Sequence, residues 1–309
     1  MRLIGGAVAR GLLGREQVPD WLNEPRGAIA RAHIPVLSSL VRAGLRRDSS
    51  LRLELLMSRG QPTVSIVMAA HNAADTIADA IDSVLRQTYP ALELIVVDDA
   101  STDDTVKIVT ALAEQDRRLR VVRADQQHGA AGARNHGLRD ARGNYIAFHD
   151  ADDVAHPERI ERQLAALVRS PATTVCLCNF RRVDVSGNPV AVNGRTDRKC
   201  IISMMFARQV LERVGYFMRL PLSEDAEYYE RIKLVYGPSS ELRLFKTLYF
   251  ARFLPTSLTF SDGDTNVGDG GNVSHKRSDD AERVLAQIRR IHDGIRDDGA
   301  SPFVPYDQD

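Results

Sequence analysis

Residues 144–160 read NYIAFHDADDVAHPERI. Tyr145–Phe148 is an apolar run of strand length, and it leads straight into Asp150, Asp152 and Asp153. Like charges a few ångströms apart repel, and the cost rises as water is excluded. Three carboxylates at the end of a buried strand therefore call for one of two arrangements. Either the turn is fully solvated, with Asp152 or Asp153 capping a helix around Pro157, or a cation sits there. Asp150 and Asp152 are one residue apart, so in a turn both can reach one divalent ion. Carboxylate oxygens suit Mg²⁺ or Mn²⁺, and Mg²⁺ typically takes one or two protein carboxylates with phosphate oxygens beside them. The ligand this implies is a diphosphate.

The same arrangement recurs upstream. Thr63–Ala70 (TVSIVMAA) is a strand-length apolar run followed by a polar turn, His71-Asn72. Asp75 is placed to cap a helix whose apolar positions Ile77, Ala80, Ile81, Val84 and Leu85 share one face. That helix ends before Pro90, which disfavours helix in the residue preceding it. Leu92–Val97 is a second strand closing on Asp98-Asp99, and Ser101–Asp104 has the spacing of a capping box for a helix over Thr105–Gln115. Arg120–Arg123 is a third strand, and HGAAGARNHG (128–137) opens a helix over Ala131–Ala141. Strands alternating with helices predict parallel βαβ units in an open sheet with helices on both faces. Ligands bind such sheets beyond the carboxyl ends of the strands. The carboxylates at 98–99 and at 150–152 are thus expected on one rim.

Over residues 62–167 the chain resembles the family 2 glycosyltransferases. The resemblance is carried by TVSIVMAAHN, then SVLRQTYPALELIVVDDASTDDT, then GAAGARNHGLRDARGNYIAFHDADD, in that order and spacing. It implies the GT-A fold, an α/β Rossmann-like open and mainly parallel twisted sheet with helices on both faces. It implies a metal-dependent inverting transfer of sugar from a nucleotide-sugar donor, with UDP-sugars favoured. The acceptor it implies is a hydroxyl of a glycan or lipid-linked saccharide in surface polysaccharide biosynthesis. By the same resemblance Ala70, His71, Asp99 and Arg134 line the nucleotide, and Asp99 accepts a hydrogen bond from a uracil-type N–H; the competing readings are a helix-capping turn residue for Asp99 and a surface helix arginine for Arg134. Asp150 and Asp152 hold Mn²⁺ or Mg²⁺ and the diphosphate, Asp152 being the principal metal ligand. There are departures from the pattern. His71 stands where an aromatic often stacks on the base, and His149 replaces a common apolar residue. Ala100 replaces the usual glycine of the turn after the second strand, so that turn is expected to avoid positive φ.

In the second half, Ser223-Glu224-Asp225-Ala-Glu227-Tyr-Tyr-Glu-Arg231 resembles the family's acidic motif. The resemblance makes Asp225 the catalytic base, with Glu224 and Glu227 as neighbours able to take that role. The competing reading is a helix N-terminus, where acids are favoured by the macrodipole and Ser223 is a good cap. His275 is a candidate further metal ligand by resemblance, or a surface histidine. Two other functions stay open: a polyprenyl-phosphate sugar synthase, and a catalytically silent sugar-nucleotide-binding protein. The intact D-x-D and Asp225 argue against silence.

Composition adds exclusions. The 309 residues are 43% hydrophobic and 27% charged, with 41 basic and 41 acidic side chains. That balance gives no footprint for nucleic acid. Cys176, Cys178 and Cys200 are expected as buried thiols. No run approaches the ~18 apolar residues of a membrane span, and the chain reads as cytoplasmic. Residues 1–60 carry ten arginines, five acids and no lysine. They read as a basic helical extension that packs on the main domain or leans on an anionic membrane surface. The catalytic domain is expected over 61–260, with a nucleotide-sugar half (61–170) and an acceptor half (171–260). A flexible glycine-rich loop (Asp262–Gly271) and a terminal helix follow, over 261–309. No phosphate loop, zinc-finger spacing or G-x-S-x-G nucleophile elbow is present.

Overall fold

The computed structural model describes residues 62–184, 187–253, 260, 263–268 and 272–307. The basic extension over 1–60 lies outside them, as do Asp262 and residues 269–271. The first half forms β1 (Val64–Ala70), α1 (Ile77–Leu85), β2 (Leu92–Asp98), α2 (Thr105–Ala113), β3 (Leu119–Arg123), α3 (Gly129–Asp140) and β4 (Tyr145–Phe148). Then come β5 (Val154–Ala155), α4 (Arg159–Arg169), β6 (Val175–Val183), β7 (Ala191–Val192), β8 (Asp197–Ala207) and α5 (Leu211–Val214). The chain continues through α6 (Glu224–Tyr236), β9 (Glu241–Arg252), β10 (Gly263–Val267), β11 (Asn272–Arg277) and α7 (Asp279–Asp297).

Eight strands form one sheet in the order β3-β2-β1-β4-β8-β6-β9-β5. The first four are parallel, as the βαβ alternation requires. β8 runs antiparallel to both β4 and β6, and β9 runs parallel to β6. The sheet thus continues without a break across the boundary expected near residue 170.

Side chains alternate between the faces of a strand, and both faces here are covered. Val67, Ile95, Val97, Ile146 and Phe148 pack with Leu138 of α3 and with Tyr228 and Ile232 of α6. Ile66, Met68, Leu94, Val96 and Ala147 pack on the other side with Ile77, Ile81, Val109, Ile160 and Leu164. Burial on both sides explains why β1, β2 and β4 read as near-continuous apolar runs. Gly137 lets α3 approach β1 closely: a Cβ there would lie 2.3 Å from a Val67 methyl.

Several local expectations are corrected. Asp75 does not cap α1 through its side chain, and Ser101 accepts the Asn72 amide at 2.9 Å rather than capping α2. Instead Asp103 accepts from the Thr105 amide (3.0 Å) and from the Ala74 amide (3.0 Å), tying the turn before α2 to the loop after β1. Ala100 does adopt positive φ, at +57°. The turn after β2 needs the left-handed conformation whichever residue occupies it. Ser223 sits at φ +60° and its side chain caps nothing. Within the glycine-rich segment expected to be a loop, Gly263–Val267 is a strand paired antiparallel with β11. Its glycine and aspartates mimic loop composition, while cross-strand pairing with 273–277 supplies its backbone hydrogen bonds.

The terminal helix is present as α7, capped by Ser278, whose hydroxyl accepts from the Ala281 amide at 3.1 Å. The three cysteines are free and buried. Among the described residues, no helix is long and apolar enough to cross a membrane.

Candidate active site

The carboxyl ends of β1, β2 and β4 deliver the polar residues to one rim. At the end of β1, Ala70 is buried and its carbonyl accepts the Asp99 amide at 2.8 Å. His71 is exposed. Its Nδ1 lies 2.7 Å from the Asp99 carbonyl and its Nε2 3.2 Å from the Asn72 side-chain nitrogen. A carbonyl only accepts, so the proton sits on Nδ1 and Nε2 takes a hydrogen from Asn72. The ring is thereby fixed at the mouth of the strand.

Asp99 is 3% exposed. One carboxylate oxygen accepts the His128 amide and the other the Gly129 amide, both at 2.8 Å. These are the orphan N–H groups at the start of α3, so Asp99 joins β2 to that helix. Each oxygen keeps a second lone-pair direction for a ligand N–H.

Arg134, one turn into α3, is the centre of the site. Its guanidinium meets the Asp150 carboxylate at 2.9 Å and the Glu224 carboxylate at 2.5 Å, with the side chain only 8% exposed. Those two partners come from opposite halves of the chain. The Asp150, Glu224 and Asp225 charges outweigh the cost of burial and strengthen Arg134's hold on its proton.

The turn after β4 is crowded with acid. Burial and then Asp150 push the Asp152 carboxyl up to about 6. Asp153 is buried and accepts the Arg252 amide at 3.0 Å, and burial followed by Asp152 holds its carboxyl well above the usual range. Beneath the turn lies a buried polar layer. His149 Nδ1 accepts from Arg159 at 3.1 Å, and its Nε2 lies 3.2 Å from the Asp153 carbonyl. Burial and Arg159 keep the ring neutral. His149 therefore supports the turn from below.

Asp225 lies in the first turn of α6, beside Glu224. Burial and then Glu224 raise its carboxyl to about 6, while Arg134 pulls the other way. Glu227 is placed differently. It is fully buried, takes Arg231 in a two-pronged pair at 2.7 and 3.0 Å, and accepts His292 at 3.2 Å. Against the cost of burial, His292 and Arg231 hold its carboxyl below the usual range. Its oxygens are engaged in bracing α6 against α7. His275 sits on β11, bonded to Thr265 at 2.9 Å and packed edge-on to Phe260. No hydrogen bond or ion pair joins it to Asp150 or Asp152.

Asp150 and Asp152 are the residues that could hold a divalent cation. Asp152 has no ion-pair partner within contact distance among the described residues, and the more distant Arg252 and Arg182 charges do not offset burial and Asp150. Among the described residues, no group of three or more His, Cys, Asp or Glu side chains is placed to hold an ion alone. Two carboxylates plus ligand oxygens match the chemistry of Mg²⁺ or Mn²⁺.

Residues 65–213 match the family described as glycosyl transferase family 2. The succinoglycan biosynthesis protein ExoO of Rhizobium meliloti is 45% identical over 214 residues, covering 67% of this chain and 53% of that protein. The UDP-Glc:alpha-D-GlcNAc-diphosphoundecaprenol beta-1,3-glucosyltransferase WfaP of Escherichia coli is 45% identical over 101 residues, 33% of this chain and 39% of that one. The chain spans about half, or less, of the length of these curated relatives. Among solved structures, S. aureus TarS 1–349 in complex with UDP superposes with a TM-score of 0.52 at 25% identity, covering 62% of this chain and 61% of that one. The fold is GT-A, and residues 65–213 are a glycosyl transferase family 2 domain.

Proposed function

We propose that this protein is an inverting glycosyltransferase that moves a sugar from a nucleotide-sugar, a UDP-sugar above all, to a hydroxyl of a glycan or lipid-linked saccharide in polysaccharide biosynthesis. The observation that carries this reading is the Arg134 bridge, which brings the Asp150–Asp152 turn and the Asp225 helix start to one place. The matched family, and the polysaccharide role in the name of the R. meliloti relative, support it.

In this reading the rim formed by His71, Asp99 and the start of α3 receives the nucleotide, with Asp99 free to accept a base N–H. Asp150 and Asp152 would hold Mn²⁺ or Mg²⁺, whose positive charge stabilises the departing diphosphate. Arg134 holds the Asp150 carboxylate in place. Asp225 takes the proton from the acceptor hydroxyl as that oxygen attacks the anomeric carbon from the face opposite the diphosphate. A base with a proton affinity near neutrality suits this task better than an ordinary carboxylate. Glu224 is committed to Arg134 and Glu227 to Arg231, which leaves Asp225 as the carboxylate available for proton transfer.

The test is a panel of nucleotide-sugars incubated with the purified protein and Mn²⁺, read by nucleoside diphosphate release and by NMR of the product anomer. Release from one donor, with inversion, is expected. Absence of release across the panel, with acceptor saccharides supplied, would overturn the reading.

A further inference from the structure

A polar cavity of about 520 Å³ is lined by Asn193, Arg195, Asp197, Arg198, Lys199 and Arg243. The sheet topology fixes where it lies. β8 runs antiparallel to β4 and β6, so its first residues, Asp197–Lys199, lie beyond the carboxyl end of β4, six to eight residues before Met205, which pairs with Ala147. β9 makes the connection on the other side: the Thr247 hydroxyl donates to Asp197 at 2.5 Å, and the Arg252 amide donates to Asp153.

The charge of this cavity is unbalanced. Its one carboxylate, Asp197, is taken by Arg181 at 2.9 Å, and Lys199 faces Glu241 at 3.6 Å. Among the described residues, no carboxylate pairs with Arg195, Arg198 or Arg243. Arg198 donates to the Val192 carbonyl, but its Nε is buried with no hydrogen-bond partner. Burial and then the Arg195 charge weaken its hold on its proton. Arg243 is fixed in place by Asn179 at 2.9 Å and by the Phe245 ring. Three guanidiniums held in one cavity without counter-charge, one with an unmet buried N–H, form a receptor for an oligoanion with phosphate geometry.

Lys199 ties the cavity to the reaction centre. Its ammonium donates to the Tyr229 hydroxyl at 2.9 Å. Tyr229 follows Asp225 by four residues in α6. It is therefore on the same helix face, roughly 6 Å along the axis.

We propose that this cavity is an acceptor subsite, in which Arg195, Arg198 and Arg243 bind a phosphate or diphosphate carried by the acceptor and so present its sugar hydroxyl to Asp225. This rests on the transferase reading above, with Asp225 as base. The phosphate could belong to a lipid-linked diphosphate or to a phosphorylated glycan.

Two measurements test it. In metal-free buffer, inorganic pyrophosphate is titrated by calorimetry, where the Asp150–Asp152 turn gives it no cation to bind. Binding that weakens at least tenfold in Arg195→Ala, whose side chain is exposed, and again in Arg243→Ala, is expected. Equal binding in all three proteins, or none in the wild type, would overturn the subsite. In the transfer assay, KM is compared for three acceptors sharing one sugar: an alkyl diphosphate, a sugar phosphomonoester without lipid, and a neutral alkyl glycoside. The variants should raise KM for the phosphorylated acceptors at least tenfold, hold kcat, and leave the neutral glycoside unmoved. A larger effect on the diphosphate lipid than on the phosphomonoester assigns the lipid source, and the reverse assigns a phosphorylated glycan. An equal KM for charged and neutral acceptors would sink the proposal while leaving the transferase reading standing. Pyrophosphate binding without transfer from any donor would do the opposite.

Discussion

Arg134 and Glu224 are 90 residues apart in the chain and 2.5 Å apart in the fold. The other prong of the same guanidinium holds Asp150. One side chain thus sets the distance between the acidic turn after β4 and the start of α6. It also lowers the proton affinity of Asp225, which burial and Glu224 raise.

Replacing Arg134 should therefore do two separable things. Arg134→Met leaves three carboxylates facing one another in a partly buried site, at a cost of about 3–5 kcal/mol in stability. Arg134→Lys keeps one charge but cannot fork to both partners. Its expected signature is an acid limb of the pH–rate profile displaced to higher pH, because Asp225 loses part of its counter-charge. An unshifted limb in a folded Lys variant would separate Arg134 from Asp225.

The wild-type profile follows from the same residue. A base with its carboxyl at about 6 must be deprotonated to work, so kcat/KM should rise with pH and level off above pH 6. Asp225→Asn should lower kcat by ~10²–10⁴ while calorimetry shows UDP binding retained. A variant that keeps near-normal transfer would return the residue to a helix-terminus role, where the loss is about 0.3–1 kcal/mol of stability.

Asp152 carries a conflict between stability and function. Its folded carboxyl, at about 6, binds a proton more tightly than in the unfolded chain. Its contribution to stability is therefore fully present below the unfolded value and is lost as pH rises through about 6. Asp152→Asn should raise the melting temperature of the metal-free protein at pH 7.5, with little change at pH 4. The same variant should lose the stabilisation that Mn²⁺ and UDP together confer on the wild type. A lower melting temperature at pH 7.5 would show that Asp152 is already compensated.

Ala100 offers a test away from charge. An L-residue in the left-handed region costs roughly 1–2 kcal/mol, part of which glycine recovers against its greater unfolded-state freedom. Ala100→Gly should raise the unfolding free energy by about 0.5–1 kcal/mol in urea titration, with activity unchanged. A destabilised variant would mean that the methyl group contributes packing at this turn.

The parallel half of the sheet was legible because each strand is buried on both faces and each helix presents one apolar stripe. Those patterns are local. So was the acidic turn, whose charges follow directly on β4. The other half depends on pairings far apart in sequence. Nothing local in Asp197–Ala207 says that it inserts antiparallel between β4 and β6, and nothing in Gly263–Val267 reveals a partner ten residues on. Glu227 looked like Asp225's equal because both lie in the first turn of one helix. Its distinction comes from the Arg231 fork one turn along α6 and from His292, 65 residues later. Arg134 read as a nucleotide-side residue. Its bridging role needed the two acidic clusters to be placed in space, although an arginine buried one turn into a glycine-rich helix is itself a signal of an ion pair.

The last stretch of the chain returns beneath α6. Val304 pairs with Gly215, the Pro302 carbonyl accepts from Arg231 at 3.1 Å, and His292 of α7 reaches Glu227. The segment matched to the family ends at residue 213, before any of these contacts. The helix that presents Asp225 is thus clamped by a tail with no counterpart in the matched segment. A change at His292, Pro302 or Val304 would therefore shift α6, and Asp225 with it, without altering any residue of the matched segment.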